Sequence, residues 1–387
     1  MKKILFDGIA TQGTSRSMFH GGAEYAKFIL REAIGRRYSF DVVLDKSYYT
    51  DPEIEELLLE WGKEHRVIEV RGKRELFTTI EQGGYNTFYS ALPYGYHDYK
   101  GSAHLIGVIH GLRSVELVTD EYRYKYEKGW LRSLAHYGVA HLPYLQGWLR
   151  ERHQRHYRRI LEMPNITYIT VSNHSKYALL NFYPLLKPEQ VKVFYSPFSV
   201  EKYDPCTEHG DYFLLVSGGR FEKNVYRAVL AFDKLFTDGR LSGRNVTVTG
   251  CGNQRFWKEI KNKDRFCLLP YVSTEELERL YREAFCFVYP SLNEGFGYPP
   301  VKAMAYGVPV IASSATSIPE VCGNAACYFS PTSVDDLCNR ILRIDQDKEY
   351  REDLIFFGLE WCKKLQLRQS QELEEELKMI FLSLIHI

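Results

Sequence analysis

The amino-acid sequence predicts an α/β protein made of two Rossmann-like, doubly wound domains that face each other across a cleft. Strand-like and helix-like stretches alternate along the whole chain, which is typical of parallel sheets covered by helices on both faces. A segment from Val191 to Asp211, rich in Pro, Tyr and Ser, interrupts this alternation, and the pattern restarts at Tyr212. Two such sheets in series predict two domains with a ligand site in the cleft between them.

Short apolar runs identify the strands, and polar or glycine-containing stretches separate them from the helices. In the first half strands are predicted at 4–6, 40–44, 67–70, 105–109 and 166–171, with a helix over 23–33. In the second half strands are predicted at 212–216, 245–249, 266–269, 285–289 and 309–312. Further helices are predicted near 226–235, over 301–306 after two prolines that suit a first helical turn, and over about 372–384.

Length and composition place the chain among ordinary globular proteins. A chain of 387 residues with 45% hydrophobic and 26% charged residues can form two full cores, and a net charge of +1 gives no overall reason to expect a nucleic-acid partner. The first apolar segment is too short for a signal peptide, and no stretch approaches the roughly 18 apolar residues of a membrane span. The eight cysteines contain no Cys-x-x-Cys pair. We therefore expect a cytoplasmic protein with free thiols.

The most informative stretch runs from Pro290 to Ser313, between a predicted strand and a predicted helix. It places the carboxylate of Glu294 directly before Gly295-Phe296-Gly297, at a helix start whose N–H groups face the carboxyl end of the strand. Such a backbone is suited to holding an anion. The alternative for a Gly-x-Gly taken alone is an ordinary turn beside a surface glutamate.

This stretch resembles the nucleotide-sugar-binding segment of the retaining glycosyltransferases of family 4, in which a Glu, seven residues and a second Glu precede Ala-Met and a Gly-x-Pro-Val-Ile-Ala strand. Here the first position is Glu294 and the second is Lys302. The resemblance implies the GT-B fold, with Glu294 contacting the donor sugar or supporting its diphosphate beside the backbone donors of Gly295, Phe296 and Gly297. The second Glu of the family accepts hydrogen bonds from ribose hydroxyls, and an ammonium group has no acceptor. Lys302 is therefore expected either to donate to a ribose oxygen or a phosphate, or to leave donor affinity reduced.

Two cations precede the predicted helix near 226–235, in the sequence Gly218-Gly219-Arg220-Phe-Glu-Lys223. A guanidinium fork and an ammonium point charge suit a diphosphate, and the pair resembles the Arg and Lys of the same family. The alternative is a solvated basic helix start. Tyr271 lies in a loop at which the family binds the nucleobase through backbone atoms, so it is assigned to the donor site as well.

Three motifs of the first half resemble other parts of the family's site. Gly22, in the pair Gly21-Gly22, matches a glycine loop at which the backbone approaches the transferred sugar or its phosphate. His110 ends a predicted strand at the position from which the family presents a His to the donor sugar. Ser172 matches an interdomain turn. The alternatives are a structural loop, a structural histidine and a helix N-cap.

The segment 122–159 is rich in Arg, Lys, Tyr, Trp and His, and it includes Trp148 and Leu149. Such a segment could rest on anionic lipid and reach a lipid-linked acceptor, and the alternative is a solvated helix. The motif Asp345-Gln-Asp347 lies in a charged helical region away from the other motifs, so it does not predict a metal site. We expect no metal and no cofactor besides the donor substrate.

The resemblance implies a glycosyltransferase that moves a sugar from a nucleotide diphosphate-sugar to a saccharide or lipid-linked hydroxyl in glycan or surface polysaccharide assembly, with Glu294 and His110 as catalytic groups. Residues 1–196 would form the acceptor-side domain, residues 197–365 the donor domain, and the helix 366–387 would pack back on the first domain. Two alternatives stay open: a non-catalytic partner of the same fold, suggested by Lys302, and a sugar-nucleotide epimerase. Glu294→Gln is expected to reduce turnover with little effect on folding.

Overall fold

The computed structural model describes residues 3–13, 21–197, 210–252 and 254–382. They divide into two units, each with its own parallel sheet. As far as they are described, residues 1–112, 154–197 and 368–387 form the first unit, and residues 113–153 and 198–367 form the second.

The secondary structure follows the predicted alternation. In chain order the strands are β1 (Ile4–Asp7), β2 (Asp41–Asp45), β3 (Val67–Val70), β4 (Thr87–Ser90), β5 (His104–Ile109), β6 (Ile166–Thr170), β7 (Val191–Val193), β8 (Tyr212–Leu215), β9 (Asn245–Val248), β10 (Phe266–Leu268), β11 (Cys286–Tyr289), β12 (Val310–Ser313) and β13 (Cys327–Phe329). The helices are α1 (Gly21–Gly35), α2 (Pro52–Trp61), α3 (Gly72–Gly83), α4 (Arg113–Glu116), α5 (Trp130–His141), α6 (Pro143–Leu161), α7 (Asn173–Phe182), α8 (Val225–Thr237), α9 (Thr274–Glu283), α10 (Tyr298–Ala305), α11 (Ile318–Cys322), α12 (Val334–Gln346) and α13 (Lys348–Phe381).

Both sheets are parallel and share one strand order. The first unit has seven strands in the order β3-β2-β1-β4-β5-β6-β7, and the second has six in the order β10-β9-β8-β11-β12-β13. In each sheet the order reverses once, between β1 and β4 and between β8 and β11. Open α/β sheets bind ligands beyond the carboxyl ends of the strands at this reversal. The α/β doubly wound fold class is confirmed.

Apolar strands form the core of each unit, as a sheet covered on both faces requires. In the first unit Leu5, Phe88 and Ile106 are fully buried, and in the second Phe213 and Phe287 are fully buried. The strands β4, β7 and β13 were not predicted. The strands β7 and β13 have only three residues each, and β4 begins and ends with a hydroxyl residue, so none of them forms a clear apolar run.

The segment 113–153 belongs to the second unit, whereas the predicted boundary placed all of 1–196 in the first domain. Long-range contacts explain the difference. Arg227, which is almost fully buried, donates to both carboxylate oxygens of Asp120 at 3.0 and 2.9 Å. The hydroxyl of Tyr126 accepts the backbone N–H of Tyr226 at 2.8 Å. Partners about a hundred residues apart leave no local signal in the sequence.

The C-terminal helix α13 begins at Lys348 rather than near Glu372, and residues 368–382 belong to the first unit. In the second unit Trp361 donates its indole N–H to the carbonyl of Val321 at 2.7 Å. In the first unit the hydroxyl of Tyr25 donates to the buried carboxylate of Glu376.

We predict that Glu376 makes the stability of the first unit depend on pH. Burial raises its pKa from 4.5 to about 8, although the hydrogen bond from Tyr25 opposes this rise. Between these two values the folded chain keeps a proton that the unfolded chain releases, so the free energy of unfolding should fall as pH rises, by at most about 1.4 kcal/mol per pH unit. Glu376→Gln should flatten this fall. The free energy of unfolding, measured in urea between pH 5 and pH 8 for both proteins, tests this prediction.

The matched control is Glu375→Gln, which changes an exposed neighbour on the same helix. It should keep the wild-type pH dependence. Below pH 6 the free energy of unfolding of Glu376→Gln should still fall somewhat as pH rises. The reason is that burial also raises the pKa of Asp7 to about 6. Parallel curves for wild type and Glu376→Gln would refute the prediction.

Candidate functional site

The loops after β8 and β11 bring three predicted site residues together at the strand-order reversal of the second unit. Arg220 and Lys223 follow β8, and Glu294 follows β11. The ammonium of Lys223 donates to Oε1 of Glu294 at 2.6 Å. The carboxyl ends of two adjacent parallel strands therefore place a cation and a carboxylate in direct contact, where this topology places ligand sites.

A left-handed residue ties these two loops to each other. Asn224 has φ of 57° and ends the short turn that carries Lys223, a conformation that Asn tolerates better than most residues. Its side-chain amide donates to the carbonyl of Pro290 at 2.9 Å and to that of Pro331 at 2.7 Å. The loop after β8 is thus fixed against the start of the loop that carries Glu294.

Glu294 is held by hydrogen bonds at its side chain and at its backbone. The hydroxyl of Ser291 donates to the carboxylate, and the backbone N–H of Glu294 donates to the hydroxyl of Thr316 at 3.0 Å. The hydroxyl of Ser317 donates to the carbonyls of Glu294 and Phe296, at 3.0 and 2.7 Å. These contacts fix one orientation of the carboxylate.

The carboxylate of Glu294 is buried and nevertheless ionised. Only 7% of the residue is exposed, and burial alone would raise its pKa. The positive charges of Lys223 and Arg113, with the hydrogen bonds from Lys223 and Ser291, instead lower the pKa to about 2. Lys223 is equally enclosed, and it also donates to the hydroxyl of Tyr289 at 3.1 Å. Burial lowers the pKa of Lys223, and the charge and hydrogen bond of Glu294 oppose that change, so the two groups form a desolvated ion pair.

A second carboxylate, Glu222, extends this pair into a larger cluster that the sequence did not predict. Its Oε1 accepts hydrogen bonds from Nη1 of Arg113 at 2.9 Å and from Nε of Arg220 at 2.8 Å. Burial would raise the pKa of Glu222, and the two guanidinium groups hold it below its usual value. We call Arg113, Arg220, Glu222, Lys223 and Glu294 the charge cluster. The alternation of charges in Arg220-Phe-Glu222-Lys223 was the only local signal for it.

The start of α10 offers fewer backbone donors than the sequence analysis assumed. Gly297 precedes the helix with φ of 109°, a value that favours glycine strongly. Among the first four helical residues Pro299 and Pro300 have no N–H group, so only Tyr298 and Val301 carry one. An anion at this position depends on charged side chains as well as on the helix start.

Lys302 lies on α10 and faces a neighbouring helix. Its ammonium donates to Oε1 of Glu278 on α9 at 3.0 Å and lies 5.8 Å from the ring centroid of Tyr281. The structure therefore pairs Lys302 with a protein carboxylate. Its predicted contact with a ribose oxygen or a phosphate stays a prediction.

Tyr271, the residue assigned to the nucleobase loop, is among the most exposed aromatic residues of the second unit, with 77% of its surface accessible. Its ring lies beside Gly250, where an added Cβ would come within 3.3 Å of Cε1 of the tyrosine. Gly250 also has φ of 67°, so this turn favours glycine on both counts. The ring of Tyr271 therefore has an exposed flat face beside the backbone of Gly250, and its role at the nucleobase stays a prediction.

In the first unit the predicted residues Gly22 and His110 also lie together. A Cβ on Gly22 would come within 2.6 Å of Cδ2 of Leu92 and 3.5 Å of Cδ2 of His110. Nε2 of His110 lies 2.9 Å from the carbonyl oxygen of Ala91, and its ring meets that of Tyr25 edge-on at 5.0 Å. The residues 14–20, which precede the glycine pair, lie outside the described part of the chain.

The remaining sequence motifs have structural partners. Ser172 is the N-cap of α7 and accepts the N–H of Ser175 at 3.1 Å, which agrees with the N-cap alternative. Asp345 accepts a hydrogen bond from Nε of Arg244 at 2.8 Å. Within the described ranges no group of three or more His, Cys, Asp or Glu is arranged to hold a metal ion. No helix in those ranges has the length and apolarity to cross a bilayer.

Comparison with known proteins identifies a domain in the second half of the chain. Residues 205–361 match the family model of the glycosyl transferases group 1, so this part of the chain is a domain of that family. The O-antigen chain mannosyltransferase B of Escherichia coli is 46% identical over 96 residues, which are 25% of each chain. The O-antigen chain mannosyltransferase RfbU of Salmonella typhimurium is 31% identical over 185 residues, which are 46% of this chain and 50% of that protein.

The chain thus spans a quarter and a half of the lengths of these two relatives. Similarity to a solved structure extends over almost the whole chain. The crystal structure of HepE from Anabaena in complex with UDP and glucose has a TM-score of 0.68 at 16% identity and covers 98% of this chain and 100% of its own. This similarity shows the fold, and the protein has the GT-B fold.

Because the pair is buried, we expect Glu294→Gln to lower the free energy of unfolding of the second unit. The sequence had led us to expect little effect on folding. The substitution leaves the ammonium of Lys223 buried without its carboxylate, at a cost of about 3 kcal/mol. The double variant Lys223→Met with Glu294→Gln removes both charges and should recover most of that loss. Urea unfolding at pH 7 measures all three proteins.

The pair Lys234 and Asp335, also in the second unit, is the matched control. Its atoms are 2.7 Å apart, but both side chains are exposed, so Lys234→Ala should lower the free energy of unfolding much less than Glu294→Gln does. If Glu294→Gln and Lys234→Ala lower the free energy of unfolding equally, burial does not make the pair of Lys223 and Glu294 more important than an exposed pair.

Proposed function

We propose that the protein is a glycosyltransferase that moves a sugar from a nucleotide diphosphate-sugar to a hydroxyl group of a saccharide or lipid-linked acceptor, with retention of configuration. The charge cluster carries this proposal, because it combines guanidinium groups for a diphosphate with an ionised carboxylate at a typical ligand-binding position of the fold. The names of the two O-antigen relatives make a mannosyl group the first candidate for the transferred sugar and surface polysaccharide assembly the setting.

In the proposed reaction the bond between the anomeric carbon and the diphosphate breaks, and the acceptor oxygen bonds to that carbon on the same face. The proton of the acceptor hydroxyl passes to an oxygen of the leaving phosphate, so the protein supplies no nucleophile. Arg220 binds the diphosphate, and its charge-assisted hydrogen bonds strengthen as the leaving group gains negative charge. The protein contributes binding, orientation and charge stabilisation.

Glu294 and His110 are the proposed groups that orient the sugar. The carboxylate of Glu294 is ionised, so it accepts hydrogen bonds from sugar hydroxyl groups and donates none. His110 presents a ring held by the backbone of Ala91 in the first unit. We propose no role for a metal ion, because guanidinium groups supply positive charge for the diphosphate.

The activity test uses the purified protein with GDP-mannose and with UDP-, ADP- and dTDP-sugars, in the presence and absence of an oligosaccharide acceptor. We expect transfer with one donor, unchanged by EDTA, and loss of at least a hundredfold in turnover in the double variant Lys223→Met with Glu294→Gln, while Lys234→Ala stays active. A hundredfold loss corresponds to about 2.7 kcal/mol in the barrier. Nucleotide release and product mass are the readouts.

Other outcomes would favour the alternative functions. Saturable donor binding without release of nucleotide would indicate a non-catalytic partner protein. Conversion of the sugar nucleotide without acceptor would indicate an epimerase. Full turnover in the double variant would exclude Glu294 from the reaction.

We also propose that the protein contacts anionic membranes peripherally through α5 and the first half of α6. Ser133 is the only buried residue of α5, so this helix packs little against the described chain. Its large apolar side chains and those that follow are exposed: Trp130, Leu131, Leu134, Leu142, Tyr144 and Trp148. The stretch 130–159 contains six arginines and one glutamate, which complements an anionic lipid surface.

The membrane proposal predicts that the protein sediments with vesicles that contain anionic phospholipid and much less with vesicles of neutral phosphatidylcholine alone. Replacing Trp130, Leu131 and Leu134 together by Ser should abolish this binding, because burial of apolar side chains supplies most of the affinity. The triple variant should keep its transfer to a water-soluble acceptor. A wild-type protein that stays in the supernatant with anionic vesicles would refute the proposal.

A further inference from the structure

We infer that Arg113, together with Arg220, binds the diphosphate of the donor, in the role that the sequence assigned to Lys223. This inference rests on the proposed function and names a residue that lies outside the matched segment 205–361. It follows from the contacts of the three cations in the charge cluster.

The ammonium of Lys223 already has two hydrogen-bond acceptors within the protein. Only 9% of its side chain is exposed, and its ammonium donates to Glu294 at 2.6 Å and to the hydroxyl of Tyr289 at 3.1 Å. A lysine in this position neutralises and orients a carboxylate. Among the described residues its three N–H groups have these two acceptors, and the side chain is almost enclosed, so Lys223 is poorly placed to bind a phosphate.

The two arginines are placed differently. The side chains of Arg113 and Arg220 are 41% and 43% exposed, and both donate to the same oxygen of Glu222, at 2.9 and 2.8 Å. Among the described residues, Arg113 has one hydrogen-bond acceptor for its five N–H donors. The carboxylate of Glu222 thus holds two accessible guanidinium groups side by side with donors to spare.

The formal charge of the charge cluster also supports a role for Arg113 in binding the diphosphate. Without Arg113, the positive charges of Arg220 and Lys223 are cancelled by Glu222 and Glu294, and an electroneutral cluster gives little attraction for an anion. With Arg113 the formal charge becomes +1. Arg113 therefore makes the cluster attractive to a diphosphate.

Contacts within the second unit also hold the segment that carries Arg113. It begins α4, and Glu116 at the end of that short helix accepts a hydrogen bond from the side chain of Asn293 at 3.0 Å. Asn293 directly precedes Glu294, so the segment that carries Arg113 is bonded to the loop that carries the catalytic carboxylate. The ion pair between Asp120 and the buried Arg227 holds the same segment a few residues later.

The test compares nucleoside diphosphates with monophosphates by calorimetry, using GDP, UDP, GMP and UMP as probes. Arg113→Ala should raise the dissociation constant of the diphosphate that the wild type binds by roughly tenfold to a hundredfold, and that of the monophosphate by less than about threefold. Arg113→Lys keeps the charge without the fork and should fall between Arg113→Ala and the wild type. Arg220→Ala should give a loss of the same size as Arg113→Ala.

The control is Arg240→Ala, which removes an exposed arginine of the second unit and should change neither constant. The unfolding midpoint of Arg113→Ala should stay near that of the wild type, since Glu222 keeps Arg220 as a partner. Equal diphosphate affinity in wild type and Arg113→Ala would overturn the role of Arg113 alone. A wild type that binds none of the diphosphates would overturn the proposed function as well, so the two failures are distinguishable.

Discussion

The site in the second unit depends on one buried ion pair, between Lys223 and Glu294. Each charge is stable in its enclosed position only because the other is there, and the pair joins the loops after two strands that are adjacent in the sheet. The hydrogen bonds of Asn224 and Ser317 then fix those loops around the pair. The proposed chemistry and the folding of the second unit therefore depend on the same contact. The proposed contact with a sugar requires a carboxylate that stays ionised in an enclosed position, and the pair provides one.

The same topology occurs twice in the chain, but the two copies hold different groups at the strand-order reversal. In the second unit the reversal carries the charge cluster. In the first unit, β1 and β4 meet where the hydroxyl groups of Ser90 and Tyr96 donate to the buried carboxylate of Asp7. Both hydrogen bonds go to Oδ2 of Asp7, and the carboxylate is buried. A shared fold thus positions both places, and the side chains at each of them differ in charge.

Local sequence patterns predicted most of the fold and part of the candidate site. Buried parallel strands such as Cys286–Tyr289 are visible as apolar runs, and the glycine-bounded motif around Glu294 marks a strand-to-helix turn. Partners far apart in the chain were not visible: Glu222 with Arg113, Lys302 with Glu278, and Asp120 with Arg227. Each is a side-chain pair whose members come from different elements, and neither residue alone differs from a solvated surface charge. That the segment 113–153 belongs to the second unit was missed for the same reason.

The helix α13 links the order of synthesis to the order of folding. The residues 368–382 belong to the first unit, where Leu377, Ile380 and Phe381 are buried and Phe381 packs against Phe40. A ribosome releases this stretch last among the described residues, after the entire second unit has been made. The first sheet must therefore wait with part of its apolar surface uncovered while the second unit folds, so the half of the protein that is translated first is completed last.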